Sequence, residues 1–224
     1  MILPLGDRPR VSARHAWVVG LLAALLVGVH ALRLWAPSVG APAGSADALL
    51  AQVAHPAHGG SLSTLLGHVW IHGDAWHLLG NLLFLLVFGP NVERRAGPVG
   101  VLLLFLACGA AGGLAFSRLQ VEGRLIGASG GVLGLLAFHA VTLPRQRALL
   151  LVWVLVVWVG EVPTRLLALA LLALDLTALL TSGYGGGRVA VPAHLGGLTL
   201  GLELGLLARA RPATAFSGPD APAA

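Results

Sequence analysis

The sequence has 224 residues, of which 57% are hydrophobic and only 10% are charged, whereas a soluble domain carries roughly 25% charged residues. This composition excludes an ordinary soluble domain and predicts that most of the protein surface faces lipid. All fourteen basic residues are arginine and the formal net charge is +5. Because these arginines form no basic patch, nucleic acid is not expected as a partner.

Six apolar segments are long enough, or nearly so, to cross a bilayer, which takes about 20 helical residues. Their bounds are 15–36, 76–92, 97–117, 126–142, 163–181 and 191–208. Turn-forming residues, such as Leu143-Pro144, separate them. The predicted fold class is an all-α membrane protein, a six-transmembrane-helix bundle that occupies residues 15–208.

Arginine placement predicts the orientation, because cytoplasmic loops carry an excess of positive residues. Most arginines fall on one side of the predicted bundle: Arg8, Arg10, Arg14, Arg94, Arg95, Arg145, Arg147, Arg209 and Arg211. The first loop on the other side, residues 37–75, contains no basic residue. We therefore expect both termini in the cytoplasm, with 1–14 as an N-terminal tail and 209–224 as a disordered tail.

Two connecting segments are more than simple linkers. Residues 37–75 mix proline and glycine with apolar side chains, which is typical of a partly helical, membrane-interfacial loop. Residues 149–160 are apolar enough to insert, but twelve helical residues rise only about 18 Å, short of the core of about 30 Å. We expect an interfacial or protein-buried connector there. A seventh span is the alternative, and it would move the start of the last helix to the cytoplasmic side.

Four polar residues are predicted to lie at one depth, a few residues below the outer surface: His77, Asn81, Ser129 and His194. Polar groups inside a bilayer are costly, so each needs a partner or a function. A histidine can activate a serine by taking its proton, and the start of a helix, where Ser129 lies, stabilises negative charge. His77 and Asn81 share one helix face and could donate to an oxyanion.

Each residue also has a structural interpretation. Ser129 lies in a glycine-rich string that arises easily as a packing motif in membrane helices. His194 alone is more often a hydrogen-bonded core residue, and His77 with Asn81 could form an interhelical hydrogen bond. Their shared depth favours a hydrolytic site.

Short motifs surround these residues. They are His72-Gly-Asp-Ala-Trp-His77-Leu-Leu-Gly-Asn81, Phe88-Gly89-Pro90-Asn91-Val92-Glu93, Gly127-Ala-Ser129-Gly130 and Ala193-His194-Leu-Gly-Gly197-x-x-x-Gly201. In this order, between residues 60 and 205, they resemble the rhomboid family of intramembrane serine proteases. The resemblance implies a Ser129–His194 catalytic dyad, an oxyanion held by His77 and Asn81, and no metal or other cofactor.

The resemblance further implies that the partners are single-span membrane protein substrates, cleaved near their outer ends within the lipid bilayer. We expect a multi-pass protein of the bacterial cytoplasmic (inner) membrane. Glu93 and Arg95 resemble the structural ion-pair region of the family. The chain departs from the family at Leu133, where members often carry an aromatic residue under the histidine.

Other ionisable residues suggest alternatives. Glu203 lies on the opposite helix face from His194 and about 13 Å along the axis, which excludes it as a third catalytic residue. Asp175 is expected deeper than His194, in a helix–helix hydrogen bond. His68 and His72 lack further ligands at metal-binding spacing.

Two other functions stay open. A catalytically inactive rhomboid-like protein could bind or escort membrane spans, although such proteins typically lack the serine or the histidine. A transporter could relay protons through Asp175 and Glu203, but it would need broken helices or an inverted repeat, and the sequence indicates neither.

Overall fold

A computed structural model of the protein describes residues 2–8, 16–35, 52–119, 122–153, 157–182 and 190–210. In chain order the elements are β1 (Ile2–Arg8), α1 (Trp17–Trp35), β2 (His55–Pro56), α2 (Leu62–Gly67), a 3-10 turn (His68–Trp70), α3 (Ala75–Leu119), β3 (Arg124–Leu125), α4 (Ser129–Thr142), β4 (Arg147–Trp153), β5 (Val157–Pro163), α5 (Thr164–Ser182) and α6 (Val191–Arg209). The predictions for residues 9–15, for the first loop up to residue 51 and for the tail after residue 210 lie outside the described residues.

The long helices form on the predicted apolar segments. By length and composition, α1, α3, α5 and α6 are each able to cross a membrane. α3 contains two predicted spans, since Gly97 within it has a non-helical backbone with φ 79° and ψ 168°. Glycine tolerates this positive φ, and Pro98 suits the first position of the helix that follows. The break lies at the predicted boundary between the second and third spans.

Two charged residues hold helix ends at one end of the bundle. Glu93 accepts hydrogen bonds from the backbone N–H groups of Val18 and Val19, at 3.1 and 2.9 Å. Arg95 donates to Ala208 O near the end of α6, at 3.0 Å. An anion at a helix start and a cation at a helix end both complement the helix dipole. In the region that resembles the structural ion-pair region of the family, Glu93 and Arg95 thus each cap a helix end, among the described contacts.

We call this side of the bundle the Glu93 end and the opposite side the Ser129 end. At the Ser129 end, Arg33 from the last turn of α1 donates to His72 O and Gly73 O, just before α3 begins, at 2.8 and 2.9 Å. At the same end, Gly112 of α3 faces the backbone of Ala193 at the start of α6. α1 therefore runs towards the Ser129 end, and α6 returns to the Glu93 end.

The described residues of the expected connector, 149–153 and 157–160, belong to two strands. β4 pairs antiparallel with β5 on one side and with β1 on the other, giving the order β1-β4-β5. Ile2 lies opposite Val152, and Arg8 opposite Arg147. The all-α prediction is therefore wrong for this part, and residues 2–8 of the predicted tail form a strand. Valine is the commonest residue of the connector, and valine and the two tryptophans favour strands.

Asp7 fastens this sheet to the helices at the Glu93 end. Its side chain is only 2% exposed and accepts hydrogen bonds from His139 Nε2, at 2.6 Å, and from Asn91 Nδ2. On the open face of the sheet, Arg8 pairs with Glu161 at 3.2 Å. The buried carboxylate connects β1 with α3 and α4.

α4 is the central helix of the bundle. All its residues from Gly130 to His139 are buried except Leu133, which is half-buried. It begins at Ser129, three residues later than predicted, and its fourteen residues extend about 21 Å, against a hydrocarbon core of about 30 Å. A helix enclosed by protein need not reach both surfaces. α4 is thus about 9 Å shorter than the hydrocarbon core.

Candidate active site

Glycines set the distance between α4 and α6. A Cβ atom on either contacting glycine of α6 would collide with a backbone oxygen of α4; the contacting pairs are Gly130 with Gly197 and Gly134 with Gly201. Small residues allow two helix backbones to approach this closely. The register sets Gly197, in the second turn of α6, against Gly130, in the first turn of α4. His194 is two residues before Gly196, the residue level with Ser129, so the two lie within about 3 Å of each other along the helix axes.

His194 is held by a carboxylate on a third helix. Its Nδ1 atom lies 3.2 and 3.1 Å from the two side-chain oxygens of Asp175 on α5, and the two side chains are only 17% and 14% exposed. A carboxylate accepts hydrogen bonds, so Nδ1 carries the proton and Nε2 keeps a lone pair. A histidine that serves as general base for a serine needs this tautomer.

The predicted helix–helix hydrogen bond of Asp175 is confirmed, but the expectation that Asp175 lies deeper than His194 is wrong. Asp175 lies seven residues before the end of α5, about 10 Å along the helix axis. Because His194 Nδ1 contacts both carboxylate oxygens of Asp175, the two side chains lie at the same depth. Counting residues from the helix ends gives the relative depth of two residues only when the ends lie in one plane, and the ends of α5 and α6 do not.

Two histidines hold the chain just before Ser129. Gly127 N donates to His68 O at 2.9 Å, and Ala128 N donates to His72 Nε2 at 3.4 Å. Gly127 has a φ of 114°, a conformation that favours glycine. The backbone that enters α4 is therefore fixed from outside the helix.

The start of α4 leaves backbone donors in position for an anion. Helical hydrogen bonding begins where Val132 N donates to Ala128 O, at 2.9 Å. The N–H groups of residues 129–131 therefore precede the first bond of this helix. Such groups and the helix dipole favour negative charge.

The neighbouring histidines are neutral. Burial lowers the pKa of His68 to about 4 and, with smaller effects from His77 and His30, the pKa of His72 to about 3. The His68 ring lies 6.0 Å from the His55 ring, whereas the His72 ring lies 5.0 Å from the His77 ring. His68 and His72 thus face different neighbours. Within the described ranges no group of three or more His, Cys, Asp or Glu residues could hold a metal ion.

The predicted oxyanion donors lie in the first turns of α3. The half-buried ring of His77 packs against Gly127 and lies within electrostatic range of His194. Asn81 is buried, and its Nδ2 donates to His77 O at 3.1 Å, which leaves one amide N–H for another acceptor. Asp74, which sequence reasoning missed, accepts from His77 N at 2.9 Å. An aspartate one residue before a helix is the usual signal of such a cap.

Of the four predicted residues, Ser129 begins α4, His77 packs against Gly127 just before it, and His194 lies on the helix that touches α4, whereas Asn81 is tied to His77 one turn further along α3. Within the described residues, Ser129 Oγ and His194 Nε2 are not joined by a direct hydrogen bond. Catalytic hydrogen bonds are often long in enzymes without substrate and shorten when substrate binds. Leu133 packs against the cluster of Phe88 and Leu136. A hydroxyl, a base in the required tautomer and free backbone donors together supply the groups needed for acyl transfer.

Comparison with known proteins identifies relatives. A family profile described as the Rhomboid domain matches residues 59–211. "RHOMBOID-like protein 1" of Arabidopsis thaliana is 30% identical over 144 residues, which are 64% of this chain and 34% of the relative. "Rhomboid protein 1, mitochondrial" of Saccharomyces cerevisiae is 29% identical over 96 residues, which are 40% of this chain and 28% of the relative. The chain thus spans about a third of the length of these relatives.

These matches bear on the predicted location and family. The relatives come from a plant and a yeast, so they do not support the predicted bacterial inner membrane. The apolar helices and the profile together make the chain a multi-pass membrane protein. The profile covers well over half of the sequence, and it confirms the resemblance found in the motifs. The chain belongs to the rhomboid family.

Proposed function

We propose that the chain is an intramembrane serine endopeptidase that cleaves the transmembrane segments of single-span membrane proteins near their outer ends. Ser129 is the nucleophile and His194 the general base. The observation that carries the proposal is the register of α4 and α6, whose glycine contacts bring His194 to within about 3 Å of the level of Ser129 along the helix axes. The hydrogen bond to Asp175 leaves His194 Nε2 able to accept a proton.

The proposed topology has six spans, with the Ser129 end outside and the Glu93 end in the cytoplasm. The two parts of α3 count as two spans, and α4 counts as a short one enclosed by its neighbours. Arg95, Arg147 and Arg209 belong to the Glu93 end, which agrees with the excess of positive residues expected on the cytoplasmic side. Both termini are then cytoplasmic.

The proposed reaction begins when Ser129 Oγ bonds to the carbonyl carbon of the scissile peptide and its proton passes to His194 Nε2. The tetrahedral oxyanion accepts hydrogen bonds from backbone N–H groups at the start of α4, with His77 and Asn81 as further donors. As the C–N bond breaks, Nε2 gives its proton to the leaving amine. Water then attacks the acyl-serine, His194 takes its proton and returns one to Ser129, and the carboxyl product leaves.

The substrate class follows from where the serine lies. α4 is about 9 Å shorter than the hydrocarbon core. With the last turn of α4 at the cytoplasmic side, Ser129 lies below the outer surface, and a soluble peptide loop must enter the bundle to reach it. A membrane span can present its outer turns at that depth once these turns have unwound. We therefore propose substrates whose spans unwind readily near their outer ends.

Labelling with a fluorophosphonate probe in detergent, together with cleavage of a single-span reporter in proteoliposomes, tests the proposal. The wild-type protein should react with the probe and cleave the reporter, and Ser129→Ala and His194→Ala should do neither. Ser117→Ala is the matched control, because Ser117 is also hydrogen-bonded to a histidine, His55 Nε2, at 2.7 Å but lies away from the proposed site. This control should keep full activity.

Retained cleavage by Ser129→Ala would overturn the proposal. A wild-type protein that binds the reporter but neither reacts with the probe nor cleaves would favour the inactive, escort-type alternative. The missing direct hydrogen bond between Ser129 and His194 is the observation that keeps this alternative in view.

A further inference from the structure

The carboxylate on α5 that holds His194 stands out from its surroundings. Thr164 and Leu167 at the start of α5 are buried, whereas most later residues are exposed or half-buried, as suits a helix that faces lipid. Asp175 is the one carboxylate on this apolar helix. A charged group at this depth is costly unless it has a partner. Its partner is the proposed catalytic base.

The geometry of the contact is specific. Both carboxylate oxygens lie 3.1–3.2 Å from the same ring nitrogen, His194 Nδ1. This contact restrains the rotation of the ring, and it places the only ring proton of neutral His194 on Nδ1. A bond that served only to join two helices could involve any pair of polar residues. This one instead involves the nitrogen that determines which tautomer is present.

We infer that Asp175 is a positioning residue of the active site: it orients His194 with Nε2 free to take the Ser129 proton, and it stabilises the imidazolium that then forms. The inference rests on the proposed protease function and adds a third member to the dyad. Asp175 touches neither substrate nor nucleophile and acts only through His194.

The variant Asp175→Asn separates this role from mere packing. Asparagine has nearly the shape of aspartate, but its amide can donate to Nδ1 and so stabilise the wrong tautomer of His194. It also lacks the negative charge that favours the imidazolium. We expect the rate of fluorophosphonate labelling and the kcat for reporter cleavage to fall on the order of 10²-fold or more. Asp175→Glu keeps the charge and should restore part of the rate.

The dependence of the labelling rate on pH provides a readout that a structural role would not move. Among the described contacts, the titratable groups that face His194 are Asp175 from α5 and His77 from α3. Because His194 must be neutral to act as a base, the labelling rate falls at acidic pH, and this fall is the acidic limb of the pH profile. Removal of the adjacent anion disfavours protonation of His194. The acidic limb of Asp175→Asn should therefore lie at lower pH than that of the wild-type protein.

Glu203→Gln is the matched control, since it removes a carboxylate from α6 at an exposed position. It should change neither the labelling rate nor the pH at which the acidic limb lies. The melting temperature Tm of every variant is measured in the same detergent. A low rate, a shifted limb and a nearly unchanged Tm for Asp175→Asn would support the inference.

Three outcomes would overturn the inference while the protease function stands. In the first, Asp175→Asn reacts with the probe at the wild-type rate and its acidic limb lies at the wild-type pH. In the second, its labelling rate falls and its Tm falls as well, while the acidic limb stays at the wild-type pH. In the third, the limb moves in His77→Gln and not in Asp175→Asn. Failure of the wild-type protein to react, or reaction of Ser129→Ala, would instead overturn the proposed function itself.

Discussion

A single methyl group on α3 should disturb the active site through the backbone. Gly112 faces Ala193, the residue before His194, and a Cβ atom on Gly112 would lie 2.6 Å from Ala193 O and 3.3 Å from its carbonyl carbon. Ordinary van der Waals contact begins near 3.4 Å. In Gly112→Ala the start of α6 must therefore move away by about 0.8 Å, because a backbone carbonyl cannot rotate aside as a flexible side chain can.

The movement should reach catalysis because His194 directly follows Ala193. A displacement of about 1 Å can cost on the order of 10²-fold in rate. We therefore expect kcat/KM for reporter cleavage in Gly112→Ala to fall by about 10- to 100-fold. Overpacking should also cost about 1–3 kcal/mol of stability, which a lower Tm in detergent would reveal.

Gly28→Ala on α1 is the matched control, since a Cβ atom there meets nothing within 4 Å. It should keep both the rate and the Tm of the wild-type protein. Full activity of Gly112→Ala at a lowered Tm would refute the claim that this contact positions His194. Full activity at an unchanged Tm would refute the close packing itself.

Two further predictions concern stability. Asp7→Ala should lower the free energy of unfolding by on the order of 3 kcal/mol, because His139 and Asn91 would each keep a buried, unpaired donor. Its control Arg8→Ala breaks a half-exposed ion pair and should lower the free energy of unfolding by less than about 1 kcal/mol. Equal losses in the two variants would contradict the claim that the buried Asp7 carboxylate fastens the sheet to the helices. Acid should destabilise the fold from about pH 6.5 downwards, because burial lowers the pKa of His68 to about 4 and the unfolded chain then binds more protons than the folded one. The free energy of unfolding should fall by roughly 3 kcal/mol by pH 4 through His68 alone. Unfolding titrations that show constant stability between pH 7 and 5 would contradict this prediction.

Helix positions could be predicted closely from the sequence. α5 and α6 begin and end within one residue of the predicted segments 163–181 and 191–208. Hydropathy is a strong signal here, because a spanning helix must satisfy its own backbone and expose apolar side chains over a fixed length. The four candidate site residues were also found in this way, since polar groups stand out in apolar segments.

The strands could not be predicted by the same reasoning. In β4, Leu149 to Val152 form a continuous apolar run without the alternation that marks a half-buried strand. Its partner β1 lies about 140 residues earlier in the chain, and no local pattern links two segments so far apart. The valine-rich composition was the available signal for a strand. The length criterion for a membrane span instead treats the segment as a short helix.

The bond between Asp175 and His194 illustrates a different limit. The sequence indicates that each residue needs a partner, but the partner depends on how far each helix is recessed. That depth follows from glycine contacts such as Gly130 with Gly197, which exist only once the helices have packed. The sequence therefore identifies the reactive groups of such a site, whereas the distances between these groups depend on how the helices pack.

The sheet at the Glu93 end also has a consequence for biosynthesis. Ile2 pairs with Val152, so about 150 residues must be made after the first strand before its partner exists. At synthesis rates of about 5–20 residues per second, this interval lasts roughly 8–30 s. Asp7 meets the same delay, because His139 is made only shortly before β4. A ribosome that stalls within this interval would leave β1 without its partner strand, so a strand made early is among the last to be fixed.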